Sequence, residues 1–171
     1  MRRFLMVVVG ILLLGGAFGA GWLLSGLGVG RSVPVDALDA RERAFADRMQ
    51  NVVLDGRFTV DWPEPREGQF GDRYEIASVE KLDGNRWRFN ARIVYGSVDV
   101  TVPVIVPIEW AGDVPVIRLV NASLPGVGEE FGATVAFDGD RYGGTWDHGE
   151  VGGFMFGTIH PAGALDAEES R

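Results

Sequence analysis

Few residues in this chain have the types and spacing that chemistry requires. The two histidines, His148 and His160, are candidates for a base or a metal ligand. Two imidazoles without thiolates supply at most half of a zinc site. Asp147 and Glu150 stand near the first of them, yet a solvated polar turn accounts for the same residues. Asp138-Gly139-Asp140 matches the opening of a calcium loop, but the later acidic ligands of such a loop do not follow, so it reads as hairpin chemistry. No nucleophile elbow, phosphate loop or H-E-x-x-H helix is present. The sequence therefore gives no catalytic residue, no metal site and no cofactor, and points away from an enzyme.

Arg86, Arg88 and Arg92 form a basic stripe on one strand face. They could receive an anionic ligand, or face acids such as Glu75 and Asp99 on neighbouring strands and keep the sheet soluble and in register. Asn121-Ala122-Ser123 is a glycosylation sequon, relevant only in a glycosylating host. Gly143-Gly144-Thr145-Trp146 and the stretch from Gly149 to Gly157 interleave small and aromatic residues. That pattern marks bulges, corners or close backbone approach, with aromatic rings over glycines filling a tapered interior.

The elements that position these residues come in two kinds. From Phe4 to Gly30 runs a stretch of 27 residues without a charge, about 40 Å long as a helix and enough to cross a bilayer. Arg2 and Arg3 precede it, and the positive-inside bias then puts the rest of the chain outside the cytoplasm. A small-x-small site at Ala17-Phe18-Gly19 would suit a cleaved signal peptide. The apolar run continues past it through Trp22, Leu23, Leu24 and Leu27, which favours a retained anchor. Gly15 and Gly19, and again Gly26 and Gly30, are spaced to share a helix face. Either two such helices pair as a homodimer, or the anchor is simply rich in small residues.

After Pro34, the segment from Asp36 to about Gln50 places Leu38, Phe45, Met49 and Val52 at helical spacing, with Asp36 as the expected N-cap. This predicts a short amphipathic helix packed on the following domain. From Val52 the period drops to 2. Trp87, Phe89, Ala91, Ile93 and Tyr95 alternate with polar neighbours, and the even positions from Val98 to Trp110 do the same. Gly96-Ser97 between them suits a two-residue hairpin turn. Further turn signals at 83–85, 111–113, 124–126, 138–139 and 148–149 imply about eight antiparallel strands in a meander, at 52–60, 73–82, 86–95, 98–109, 114–121, 130–138, 141–147 and 153–160. Phe131, Ala133, Val135 and Phe137 are expected to face inward, as are Tyr142, Gly144 and Trp146, and then Phe154 and Phe156. Residues 161–171 read as a flexible tail.

Pro103 and Pro107 share one parity, so one side of their strand loses two ladder bonds. That side is expected to be an edge or seam, which favours a sandwich or partly open barrel over a fully closed one. The domain organisation is then an anchor at 1–30, a juxtamembrane linker and helix at 31–51, a β domain at 52–160, and the tail.

Arg2 and Arg3 are the only charges among the first 30 residues, so the remainder carries a net charge of -10 where the whole chain carries -8. Such a surface repels phosphate backbones, and nucleic acid is excluded as a partner. There are no cysteines, which removes disulfides and thiolate chemistry together and suits a bacterial envelope protein held by packing alone.

The segments Arg48-Met49-Gln50-Asn51, Gly56 to Asp61, Arg73-Tyr74-Glu75-Ile76, Trp87 to Ile93, Trp110-Ala111-Gly112-Asp113 and Gly144-Thr145-Trp146 together resemble a group of uncharacterised bacterial membrane-anchored proteins. The likeness covers most of residues 45–160 and implies an envelope address. The strand count and the Gly144-Thr145-Trp146 triplet also resemble lipocalin- and avidin-type meanders, although here the triplet falls in the penultimate strand and not the first. The expected function is a non-enzymatic binding or scaffold module with an envelope protein as partner. The alternative is a lipocalin-like carrier of a small apolar ligand, with Trp87, Phe89, Val102, Trp146 and Phe154 lining its interior.

Overall fold

The computed structural model describes residues 32–124 and 128–164. The anchor expected at 4–30, with Gly15, Gly19, Gly26 and Gly30, lies outside these residues. Among the described residues no helix is long and apolar enough to cross a membrane.

Eight antiparallel strands close into an up-and-down barrel: β1 (Val52–Val60), β2 (Arg66–Lys81), β3 (Arg86–Tyr95), β4 (Val98–Ala111), β5 (Val114–Leu124), β6 (Gly128–Asp138), β7 (Arg141–His148) and β8 (Val151–Pro161). Each pairs with the next in sequence. β8 returns to β1 in register from Val52↔Pro161 to Phe58↔Met155. The sandwich or open barrel favoured by the prolines is thus corrected to a closed barrel, yet the reasoning about the seam holds. β4 pairs with β5 over only four positions, Ile108↔Ile117 to Ala111↔Val114. The Ile108 N–H donates to the Asn85 carbonyl on the β3 side, so the even-numbered amides of β4 face β3. Pro103 and Pro107 therefore lack their N–H groups on the β5 side, where the ladder stops. Register shifts between β5 and β6 at Leu119/Ala122 and Ala122/Leu124 let β5 bend away from this unpaired stretch.

The predicted helix is present but shorter. A single 3-10 turn at Val35–Ala37 precedes α1 (Ala40–Arg48). Asp39, not Asp36, is the N-cap: its carboxylate accepts from the Glu42 N–H at 2.9 Å while Glu42 accepts from the Asp39 N–H at 3.2 Å. This capping box satisfies two otherwise orphaned donors, and only the residue three before a Glu could form it here. Leu38, Phe45, Met49 and Val52 are all buried, as their spacing predicts.

α1 plugs one end of the barrel. Phe45 points inward, with ring centroids 5.6 Å from Trp87, 5.9 Å from Phe137, 6.1 Å from Trp110 and 6.3 Å from Phe89. Full burial of such a ring is worth roughly 2–3 kcal/mol. Polar ties surround it. Lys81 pairs with Glu42, the Arg41 guanidinium lies 4.8 Å over the Trp110 ring and donates to the Gly112 carbonyl, and the Gln50 amide donates to the carbonyls of Ala46 and Val79. The Val33 N–H donates to the Lys81 carbonyl at this same end.

Candidate functional site

Beyond the plug, the barrel interior is not filled. A cavity of about 440 Å³ runs inward from the opposite end. Its wall is built from inward-facing positions of all eight strands, which the period-2 alternation delivers to one side of the sheet. Leu54, Ile76, Ala91, Val104, Leu119, Val135 and Met155 represent one strand each except β7, which contributes Tyr142, Trp146 and His148. The wall is overwhelmingly apolar.

At the mouth, aromatic residues form a rim. Phe58 lies 5.3 Å from Phe70 and 5.5 Å from Trp146, the latter edge-on. The Trp146 indole N–H donates to the Thr59 carbonyl at 3.1 Å, which fixes its orientation. Across the opening, Phe131 stacks on His148 at 4.2 Å. His148 is thus the last residue of β7, its ring engaged by Phe131. His160 lies apart on β8, its Nε2 2.7 Å from the Thr158 hydroxyl. The structure does not bring the two histidines together, and among the described residues no three acidic or imidazole side chains are grouped as metal ligands.

One polar cluster interrupts the apolar wall. Asp72 on β2 faces inward and is 4% exposed. The Tyr142 hydroxyl reaches it from β7, donating toward Oδ1 at 3.5 Å. To get there the tyrosine crosses β8 and β1 at the paired glycines Gly157 and Gly56. A Cβ on Gly56 would collide with the Tyr142 hydroxyl and crowd the Asp72 carboxylate, and one on Gly157 would meet the Tyr142 ring. Burial pushes the Asp72 carboxyl above its ordinary value, with the charge of Asp55 adding to the effect and the hydroxyls of Tyr74 and Tyr142 opposing it. The Tyr142 phenol is raised as well, by burial first and then by the neighbouring carboxylates.

The five expected lining residues divide. Phe89 and Trp146 line the cavity. Trp87 is fully buried, but beneath α1 against Phe45 and not on the cavity wall. Val102 is half-buried and packs against the core from the inner face of β4 without reaching the cavity. Phe154 is 53% exposed on the outer face of β8, with Phe156 beside it. The expectation that these two point inward is corrected. On β8 it is Gly153, Met155, Gly157 and Ile159 that face the interior, with glycines placed opposite Trp146 and Tyr142, whose rings occupy the space there.

The arginine stripe resolves as ion pairs. Arg92 lies between Asp99 and Glu75, Arg88 meets Glu80, and Arg86 meets Asp83. The Arg92 bonds hold the Asp99 carboxyl below its ordinary value. Of the cavity groups, Asp72 was missed by sequence reasoning. It shares parity with Tyr74 and Ile76, the one signal that could have found it, but the strand expected at 73–82 begins one residue after it.

The chain matches no protein family, no curated protein and no solved structure, so the cavity and its one carboxylate are the ground on which a function can be argued.

Proposed function

We propose that the barrel is a non-enzymatic carrier that holds a small, largely apolar ligand in its interior. The observation that supports this most is the apolar cavity of about 440 Å³, within the range of pockets that enclose small molecules. Packed protein interiors seldom leave such a volume empty. One end is stoppered by Phe45 and the other framed by Phe58, Trp146, Phe131 and His148, which suits entry of a ligand from that side.

The test is titration of the full chain with a neutral apolar fluorophore, N-phenyl-1-naphthylamine. The expected result is saturable binding at one site per chain with quenching of tryptophan emission. Ala133→Trp, which places an indole in the cavity, should weaken that binding at least tenfold. A signal that does not saturate, or that survives Ala133→Trp in a folded protein, would end this reading.

The apolar run at 4–30 supports a further part of the proposal, that the carrier is held at a membrane with its barrel outside the cytoplasm. A C-terminal alkaline phosphatase fusion should then be active in a bacterial host; activity only in a cytoplasmic β-galactosidase fusion would reverse the topology. The exposed pair Phe154 and Phe156 supports a second reading, in which the outer face of β8 meets an envelope protein. If so, Phe154→Glu with Phe156→Glu should abolish any specific crosslink made by this face.

A further inference from the structure

For a carrier, the cavity contains one group that a purely apolar ligand would leave unsatisfied. Asp72 Oδ2 is buried and has no hydrogen-bond partner, while Oδ1 has the long contact from Tyr142 and the Tyr74 hydroxyl also acts on the carboxyl. A buried acceptor without a partner is destabilising, and more so when it is charged. A chain that needed only an apolar lining could carry Leu or Val at 72. Instead the space around the carboxyl is kept clear: Gly56, directly opposite Asp72 in the β1–β2 ladder, has no side chain where a methyl would crowd the carboxylate.

The lining contains no lysine or arginine, so nothing in the wall can supply the missing charge. Its other polar side chains are the Tyr74 and Tyr142 phenols, the Trp146 indole and His148, none of which carries a permanent positive charge. The group that best completes Asp72 is an ammonium N–H, because a charge-assisted hydrogen bond in a water-poor site is roughly twice as strong as a neutral one. A carboxylate ligand would instead face like charge. The approach to the mouth has the same sign. Residues 61–67, 128–130 and 147–151, around the opening, hold seven carboxylates against one arginine, Arg66. That field draws cations toward the entrance.

Building on the carrier reading, and resting on it, we propose that the ligand is a lipophilic amine, an apolar body bearing one ammonium group, and that Asp72 Oδ2 receives that group inside the barrel. Asp72 is then the specificity-determining residue, and the apolar wall accepts the rest of the molecule without selecting its shape.

The experiment is calorimetric titration of the full chain in lipid nanodiscs with decylamine, decanol and decanoate, using protein-free nanodiscs as the partition blank. The three probes share a chain and differ only at the head. Decylamine should bind about tenfold or more tightly than decanol, with decanoate weakest. Asp72→Asn should bring decylamine to the level of decanol and leave decanol unchanged. Equal binding of amine and alcohol to the unsubstituted protein, tightest binding of decanoate, or an amine preference that survives Asp72→Asn would each overturn the assignment while leaving the carrier reading in place. Failure of all three to bind would remove the carrier reading itself. The comparison of the three probes on the unsubstituted protein stands whether or not Asp72→Asn folds.

Discussion

In the proposed carrier, Asp72 sets stability against ligand binding at a single residue. Its carboxyl titrates above its ordinary value of 3.8 in the folded barrel because burial disfavours the charged form. The folded state therefore keeps a proton that the unfolded chain has already lost. The contribution of Asp72 is fully present below the unfolded value and is lost as pH rises through the folded value. Above that folded value the barrel carries an incompletely satisfied buried carboxylate, flanked by Tyr74, Tyr142 and the charge of Asp55. Asp72→Asn, neutral and of the same shape, should raise the melting temperature at neutral pH, and the gain should shrink as the pH approaches that of an ordinary carboxyl. Thermal melts across that range check this; a variant less stable than the parent at neutral pH would show that the carboxylate is better satisfied than its geometry indicates. The sequence carried the parity of Asp72 but not its burial. A lone acid in a strand of an acidic protein looks like any solvated residue until the register of β1 against β2 puts it opposite a glycine.

Among the elements, α1 and the β4–β5 seam are the two that depart from a uniform barrel. Phe45 is held by four aromatic rings, so Phe45→Ala should cost about 3–5 kcal/mol and join the space it leaves to the cavity. Denaturant unfolding would measure the loss, and a cost below about 1 kcal/mol would mean that the plug is not part of the core. At the seam, the Val104 and Val106 amides face β3, whereas the Ile105 amide faces β5 beyond the last paired position. Hydrogen exchange should accordingly be faster at Ile105 than at either neighbour; equal protection at all three would mean that the ladder continues. This seam was legible from the parity of Pro103 and Pro107, a backbone property that needs no tertiary context. The helix was legible from its apolar spacing, but its start was not, because Asp36 and Asp39 are both good caps and only the Glu three residues on from Asp39 distinguishes them. The orientation of Phe154 and Phe156 was not legible at all. Alternating Phe and Gly fits either face, and what decides it is the volume of Tyr142 and Trp146 on the neighbouring strand.

For the molecule as a whole, the alternation along β3, β4 and β6 together with the regularly spaced turn signals was enough to give an antiparallel meander of about eight strands. Closure was not, since a meander becomes a barrel only if its first and last strands meet, and no local pattern reports that. Here they do meet: β1 and β8 pair along almost their whole common length, and the Ala162 N–H donates to the Asn51 carbonyl at 2.8 Å. A chain ending after Glu150 would lack β8, leaving β1 and β7 as open edges and the apolar lining in contact with water. It should be recovered as a protease-sensitive, aggregating product, and a soluble, resistant fragment from limited proteolysis would show that seven strands suffice.

The pairing of β1 with β8 also bears on how the protein is made. Synthesis delivers β1 first and its final partner last, so the most distant contact in the barrel is also the one that completes it. Loop-closure entropy makes such pairing slow. Until residues 151–161 have emerged, every intermediate has two unpaired edges and an uncovered interior, and is suited to capture by a chaperone or protease. The last strand thus acts as a proof of completion: a chain interrupted in synthesis cannot shut its own wall, and the quality-control machinery that reads exposed apolar edges can tell it from a finished one.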